Sequence, residues 1–368
     1  MRAPYRVIVW GPGVVGNALL REIAKKPELE LVGVLAYNPE KDGKDVGDYL
    51  GLPSMGVRMT TDQETIINAD ADCVLFCPNM SAKVDVDSDT TDVLCRILES
   101  GKNVSTSIGW WYPLYHSQAL ADKLENACKK GNSCLHSTGV NPGWLYERVL
   151  TTLTGASTRI SHIEVRELAD TRSIESYDML VTGLGYGREL SETPWIENAG
   201  DRGYSETLAS TCAILGVKLD RIESEKKYFV AREDIELVPT TIRKGTRSGV
   251  NLLYHAIVDG KRFITLEEIW YTDKRDLPDG LLPGDYYTIT IEGEPVSVRC
   301  KFELLASAEK NIEFLPGDRT TPAYYTTAIT VLQAIPIVCG AKPGIVYPNT
   351  FANFVPDLRD FKSPLIVR

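Results

Sequence analysis

The chain has 368 residues, 43% hydrophobic and 24% charged, an ordinary globular mix with length enough for two domains. Fifty acidic against 40 basic side chains leave a formal net charge of −10, which argues against nucleic acid or a membrane surface as a partner, since either favours a basic face. The eight cysteines (73, 77, 95, 128, 134, 212, 300 and 339) form no C-x-x-C pair and the four histidines show no metal spacing, so reduced thiols, a cytoplasmic setting and no bound metal are expected.

The first predicted strand, YRVIVW at 5–10, starts so early that it is read as leaving no room for a signal peptide. No apolar stretch is expected to reach the roughly 18 residues of a membrane span. A glycine turn follows, then a helix from Val14 to about Lys26 that gathers Val15, Ala18, Leu19 and Ile23 on one face. Further strands are predicted at ELVGVLAY (30–37), ADCVLFCPN (71–79), KNVSTS (102–107) and CLHSTG (134–139), with helices over 89–100 and 117–130 between them. Strands separated by helices imply crossover units and a parallel sheet. Next, NPGWLYERVLTTL (141–153) reads as a helix opened by Asn141 with Pro142 in its first turn. Period-2 runs then dominate: HIEVREL (162–168), KKYFVARE (226–233), GVNLLYHAIVDG (249–260), RFITLEEIWYT (262–272), DYYTITIEG (285–293) and EPVSVRCKFEL (294–304). They predict a largely antiparallel sheet. PAYYTTAITVLQAIPIVCG (322–340) closes the pattern as an apolar helix. The expected fold class is α/β: a Rossmann domain with a parallel sheet over 1–142 and an α+β domain with a mixed, largely antiparallel sheet over 143–320. A C-terminal helix and tail, 321–368, would return to the first domain.

The turn WGPGVVG carries Gly11, Gly13 and Gly16 in the G-x-G-x-x-G spacing. Each glycine has a task a side chain would obstruct: the tight turn, the close approach of backbone to a diphosphate, and the packing of helix on strand. The helix N-terminus behind it offers unpaired N–H groups to phosphate oxygens. With a strand before it and a second strand at the right distance after it, the turn reads as a dinucleotide cradle formed by Gly11, Pro12, Gly13, Val14, Val15 and Gly16. At the end of the second strand stand Tyr37 and Asn38 where an NAD site usually places an acid, with Lys41 and Lys44 close behind. Neutral and basic groups there suit a 2′-phosphate, so Asn38 and Lys41 point to NADP, with NAD left open. Pro78, Asn79 and Ser107, at the ends of later strands, complete the expected cofactor contacts.

GPGVVG, KNVSTS, TGVNPGWL (138–145) and LQAIPIVCGAKPGIV (332–346) together resemble the dihydrodipicolinate-reductase-like oxidoreductases. The nearest branch is that of the 2,4-diaminopentanoate dehydrogenases and native amine dehydrogenases. The resemblance implies NAD(P)H-dependent hydride transfer in a cleft between two domains, reductive amination of a small or medium apolar ketone or aldehyde, and a homodimer. It also implies that Asn141 orients the nicotinamide or caps a helix. In amine dehydrogenases a glutamate after the strand equivalent to NVSTS serves the amine chemistry; here that position falls at Ile108 or Gly109. The His-His pair and lysine of dihydrodipicolinate reductase are also missing from RELADTRSIESY (166–177), which argues against its diacid substrate.

Other groups are therefore candidates for the proton or hydrogen bond that the substrate heteroatom needs. Tyr112, Tyr115 and His116 lie on the loop after a parallel strand, with Trp110 and Trp111 as apolar walls. Glu167 and Asp170, at the end of HIEVREL, stand in for the missing carboxylate, with Tyr177 behind them. His136 reads as structural. Two other readings stay open: an ammonia-independent carbonyl reductase or alcohol dehydrogenase, and a non-catalytic dinucleotide-binding protein.

Overall fold

A computed structural model describes residues 3–79, 82–174, 176–305 and 321–359. The chain forms two compact units: one runs to Trp144 and takes in the stretch ending at Tyr347, the other runs from Leu145 to Leu305 and takes in the segment beginning at Pro348.

In the first unit, β1 (Tyr5–Trp10), β2 (Leu29–Leu35), β3 (Met59–Thr60), β4 (Cys73–Phe76), β5 (Asn103–Thr106) and β6 (Cys134–Ser137) pair in parallel. The two-residue strand Gly344–Ile345 adds itself beside β6. From that edge the order is Gly344–Ile345, β6, β5, β4, β1, β2, β3, so the chain reverses direction across the sheet between β1 and β4. Alternation explains why both faces are dry. Val7 and Val9 of β1 enter one apolar cluster, with Ala18 and Leu19 of α1 (Val14–Ile23) and with Val331, Ile335 and Val338. Ile8 and Trp10 enter the other, with Leu94 and Leu98 of α2 (Asp89–Glu99) and Leu124 of α3 (Gln118–Gly131). A strand buried on both faces reads as a continuous apolar run, and each such side chain contributes about 1.5–3 kcal/mol of burial.

The stretch Pro322–Gly340, 19 residues with a mean hydropathy of 1.3, is long and apolar enough to cross a membrane by length and composition, which the sequence reading did not expect of any segment. Its apolar side chains Ala328, Val331, Leu332, Ile335 and Val338 are instead part of the first unit's core, which accounts for its hydropathy.

The second unit is built on six strands: β7 (Arg159–Asp170), β8 (Arg221–Val230), β9 (Arg247–Val258), β10 (Lys261–Tyr271), β11 (Tyr286–Glu294) and β12 (Val298–Phe302), in the order β12, β11, β7, β10, β9, β8. Only β7 and β10 pair in parallel; the other pairs are antiparallel. One long helix, α4 (Trp195–Ile214), belongs to this unit. The predicted helix at 141–153 starts later than its sequence suggests. Asn141, Pro142 and Gly143 have non-helical backbone, with Pro142 extended at ψ 173° and Gly143 at φ +119°. Asn141 therefore stands before the first helical turn, and wide helical turns follow to Leu150 and continue through Thr151–Thr154.

Candidate functional site

The glycine turn meets the demands of an anion site one residue at a time. Gly11 sits at φ +94°, and a Cβ there would lie 2.3 Å from the Cys77 carbonyl oxygen, so only glycine lets the end of β1 lie against the end of β4. A Cβ on Gly16 would lie 2.2 Å from the Gly11 oxygen, which fixes how closely α1 approaches the turn. Gly13 is the opposite case: it is exposed, and a Cβ there would meet nothing within 4 Å. It is the open lip of the turn. Behind it α1 starts without a side-chain cap and without an acid in its first turn, whereas Ser88 caps α2 and Ser117 caps α3. An uncapped helix start with no acid in its first turn, next to an exposed glycine whose missing side chain would meet nothing, fits a dinucleotide's diphosphate.

At the end of β2, Tyr37 accepts a hydrogen bond from Trp10 Nε1 at 2.8 Å. Asn38 accepts one from Glu40 N at 2.9 Å and so caps the short turn Pro39–Lys41. Lys41 reaches back across the fold, its Nζ donating to the Pro12 carbonyl at 2.7 Å. Pro78 is buried and Asn79 exposed at the end of β4; Ser107, half-buried, donates its N–H to the Phe76 carbonyl beside it. These residues, with Gly11–Gly16, gather at the carboxyl ends of neighbouring parallel strands, the usual ligand side of such a sheet. Asn141, half-buried, follows the end of β6.

After β5, at the two residues beyond Ile108, the backbone kinks. Gly109 and Trp110 are both left-handed, at φ +57° and +54°. The Trp110 ring is buried against Phe76, 6.3 Å between ring centres, and Phe76 against Trp10 at 5.6 Å. Tyr112 is half-buried, edge-on to Tyr347 at 5.6 Å. Tyr115 is exposed and packs edge-on against half-buried His116, at the turn before the cap of α3. His136 Nδ1 is 2.7 Å from the Val346 carbonyl, fastening β6 to the strand segment beside it.

Within the second unit, Glu167 is a built feature. It is 7% exposed, and its carboxylate accepts from the Tyr287 hydroxyl at 2.6 Å and the Trp270 indole N–H at 3.1 Å. In register beside it on β10 stands Glu268, fully buried, which accepts from the Tyr146 hydroxyl at 2.6 Å. Burial first, then the charge of the neighbouring glutamates, pushes both phenols well above the ordinary tyrosine value, so they stay protonated donors. Asp170 is committed elsewhere: it accepts from the Arg172 backbone N–H at 3.1 Å and pairs with its guanidinium. Tyr177 is exposed. A second buried acid, Glu147, accepts from Ser210 on α4, with Glu206 one turn away. Burial, then the charge of Glu206, lifts the Glu147 carboxyl to about 8 despite the Ser210 hydrogen bond.

The sequence reading missed Tyr287, Trp270, Glu268 and Tyr146. One signal was present: in FITLEEIW, Glu268 falls on the same parity as Ile264, Leu266 and Trp270, an acid on the core face of a strand. Among the described residues, no group of three or more histidine, cysteine, aspartate or glutamate side chains is placed to hold a metal ion.

Residues 5–81 match the N-terminal domain of dihydrodipicolinate reductase, and residues 144–351 match the C-terminal domain of 2,4-diaminopentanoate dehydrogenase. An amine dehydrogenase of Streptomyces virginiae is 26% identical over 355 residues, covering 92% of this chain and 93% of its own. The 2,4-diaminopentanoate dehydrogenase of Acetoanaerobium sticklandii is 23% identical over 347 residues, covering 92% and 91%. A solved amine dehydrogenase from Mycobacterium smegmatis shares the fold, with a TM-score of 0.73 at 22% identity over 94% of this chain and 95% of that one.

Proposed function

Because the chain belongs to the 2,4-diaminopentanoate dehydrogenase C-terminal domain family and is an NAD(P)-dependent oxidoreductase, we propose that it reduces a C=N bond, making an amine from ammonia and a small or medium apolar ketone or aldehyde. The reduced nicotinamide, when bound, supplies the hydride. The chain's own residues must do the rest. Gly11–Gly16 and the first turn of α1 hold the diphosphate, and Pro78, Asn79, Ser107 and Asn141 seat the remainder of the cofactor. The neutral end of β2, with Lys44 behind it, favours NADP(H), since no acid stands at Tyr37 or Asn38 to bind a bare ribose 2′-hydroxyl.

The observation that carries the C=N assignment is Glu167. An iminium is cationic, and a carboxylate fixed by two donors stabilises it and moves protons to and from nitrogen. Glu167 is therefore the acid assigned to the proton chemistry, since no acid stands at Ile108 or Gly109. A second reading, reduction of a carbonyl without ammonia, rests on that same empty position: a neutral donor such as Tyr112 or His116 then suffices. The test is to follow NADPH or NADH absorbance with a panel of ketones and aldehydes, with and without ammonium. Consumption only with ammonium supports the proposal; consumption regardless favours the carbonyl reductase; tight binding without turnover favours a binding protein. In the first case Glu167→Gln is expected to lower turnover about a hundredfold or more, the usual scale of losing an acid–base group. Unchanged turnover removes Glu167 from the chemistry.

A further inference from the structure

The turn carries a cation whose placement decides what it reads. Lys41 is half-buried, its ammonium donating to the Pro12 carbonyl at 2.7 Å and lying 4.8 Å over the Tyr49 ring. The Tyr49 hydroxyl in turn accepts from Asn17 Nδ2, in α1, at 3.4 Å. Burial works to raise that hydroxyl, but the hydrogen bonds from Lys41 and Asn17 and the charges of Lys41 and Lys44 outweigh it, so it lies below the ordinary tyrosine value. Lys25 and Lys26 in the same unit are matched with Glu22 and Glu28. Among the described residues no carboxylate pairs with Lys41. A half-buried ammonium held against a carbonyl and a ring, with no carboxylate to neutralise it, is set for an anion.

Which anion follows from position. Pro12 stands between Gly11 and the exposed Gly13, at the uncapped start of α1, where the diphosphate of a dinucleotide lies. The ribose 2′ position lies off the end of β2, beyond Ala36. Fixed on Pro12, the ammonium belongs to the first place and not the second. We propose that Lys41 is the counter-charge of the cofactor's diphosphate and does not distinguish NADP from NAD. That discrimination then falls to exposed Lys44, in the turn that follows. The inference rests on the cofactor reading above and refines it.

The test is calorimetric titration of the whole purified chain with NADPH, NADH and ADP-ribose. In Lys41→Met, affinity for all three is expected to fall by the same factor, about tenfold, as for loss of one charge-assisted hydrogen bond. The NADPH-to-NADH ratio stays within about twofold of its starting value. Lys41→Gln, which keeps a donor for Pro12 but no charge, is expected to behave alike, and Lys41→Arg to restore binding of all three. Loss confined to NADPH overturns the proposal in favour of a 2′-phosphate reader. Unchanged binding in both neutral variants overturns it too, leaving Lys41 as a brace for the turn. If the wild-type chain binds neither dinucleotide, the cofactor reading itself falls.

Discussion

Glu147 lends itself to a direct measurement. Its carboxyl is 1% exposed and lifted from 4.5 to about 8 by burial and by nearby Glu206. Each tenfold change in proton affinity is worth ~1.4 kcal/mol, so the displacement corresponds to at most about 5 kcal/mol, and local relaxation makes the realised figure smaller. The sign follows from linkage. The unfolded chain releases this proton near pH 4.5 and the folded chain holds it to about 8. The stability associated with the buried neutral acid is therefore fully present below 4.5 and lost progressively as pH rises to about 8. Glu147→Gln keeps an oxygen for the Ser210 hydroxyl and has nothing to ionise. At pH 5 the variant and the wild type should differ little. By pH 8 the variant should be more stable by several kcal/mol, a rise in midpoint on the order of 10 °C for a unit of this size. Calorimetric scans of both proteins from pH 5 to 9, following the transition of the second unit, measure this. Parallel pH dependences in the two proteins would refute the assignment of a neutral buried carboxyl at Glu147.

Two further outcomes separate folding from function. Gly13→Ala puts a methyl where nothing lies within 4 Å and at φ −88°, so thermal stability should stay within about 2 °C while dinucleotide affinity falls a hundredfold or more; a variant that binds normally means the lip of the turn is not the diphosphate seat. Tyr287→Phe removes a 2.6 Å donor to Glu167 and should slow turnover about tenfold with KM nearly unchanged. In the Glu167→Gln background it should do almost nothing more, because both act through one carboxylate; additive effects in that double-mutant cycle would show that Tyr287 serves packing alone.

What the sequence discloses here depends on how local the causes are. The glycine turn is legible because strand, turn and helix are contiguous, and each glycine answers a steric need set within a few residues or by the next strand. The parallel sheet is legible because β1 and β4 are apolar on both faces. Neighbouring glycine and proline mislead at 141–143, where the extended Pro142 starts the helix later than a first-turn proline would.

The acid network is not local at all. Glu167 and Tyr287 are 120 residues apart and Tyr146 and Glu268 are 122 apart. They meet only because β7 is flanked by β10 on one side and β11 on the other, in registers that place Glu167 opposite Glu268 and Tyr287. No periodicity within one strand reveals that register. Parity within each strand still leaves a trace: Glu167 shares the parity of the buried Ile163 and Val165, and Glu268 that of the buried Ile264 and Leu266, so both acids occupy positions their own strands assign to the core. Burying two carboxylates side by side costs several kcal/mol unless each is hydrogen-bonded, and each here has a phenol at 2.6 Å. An acid kept on a core face at that cost, and supplied with its own donor, is the candidate on which the proposed chemistry is placed. This is why Glu167, and not the half-buried, arginine-paired Asp170, is the group on which the amine-forming reading stands or falls.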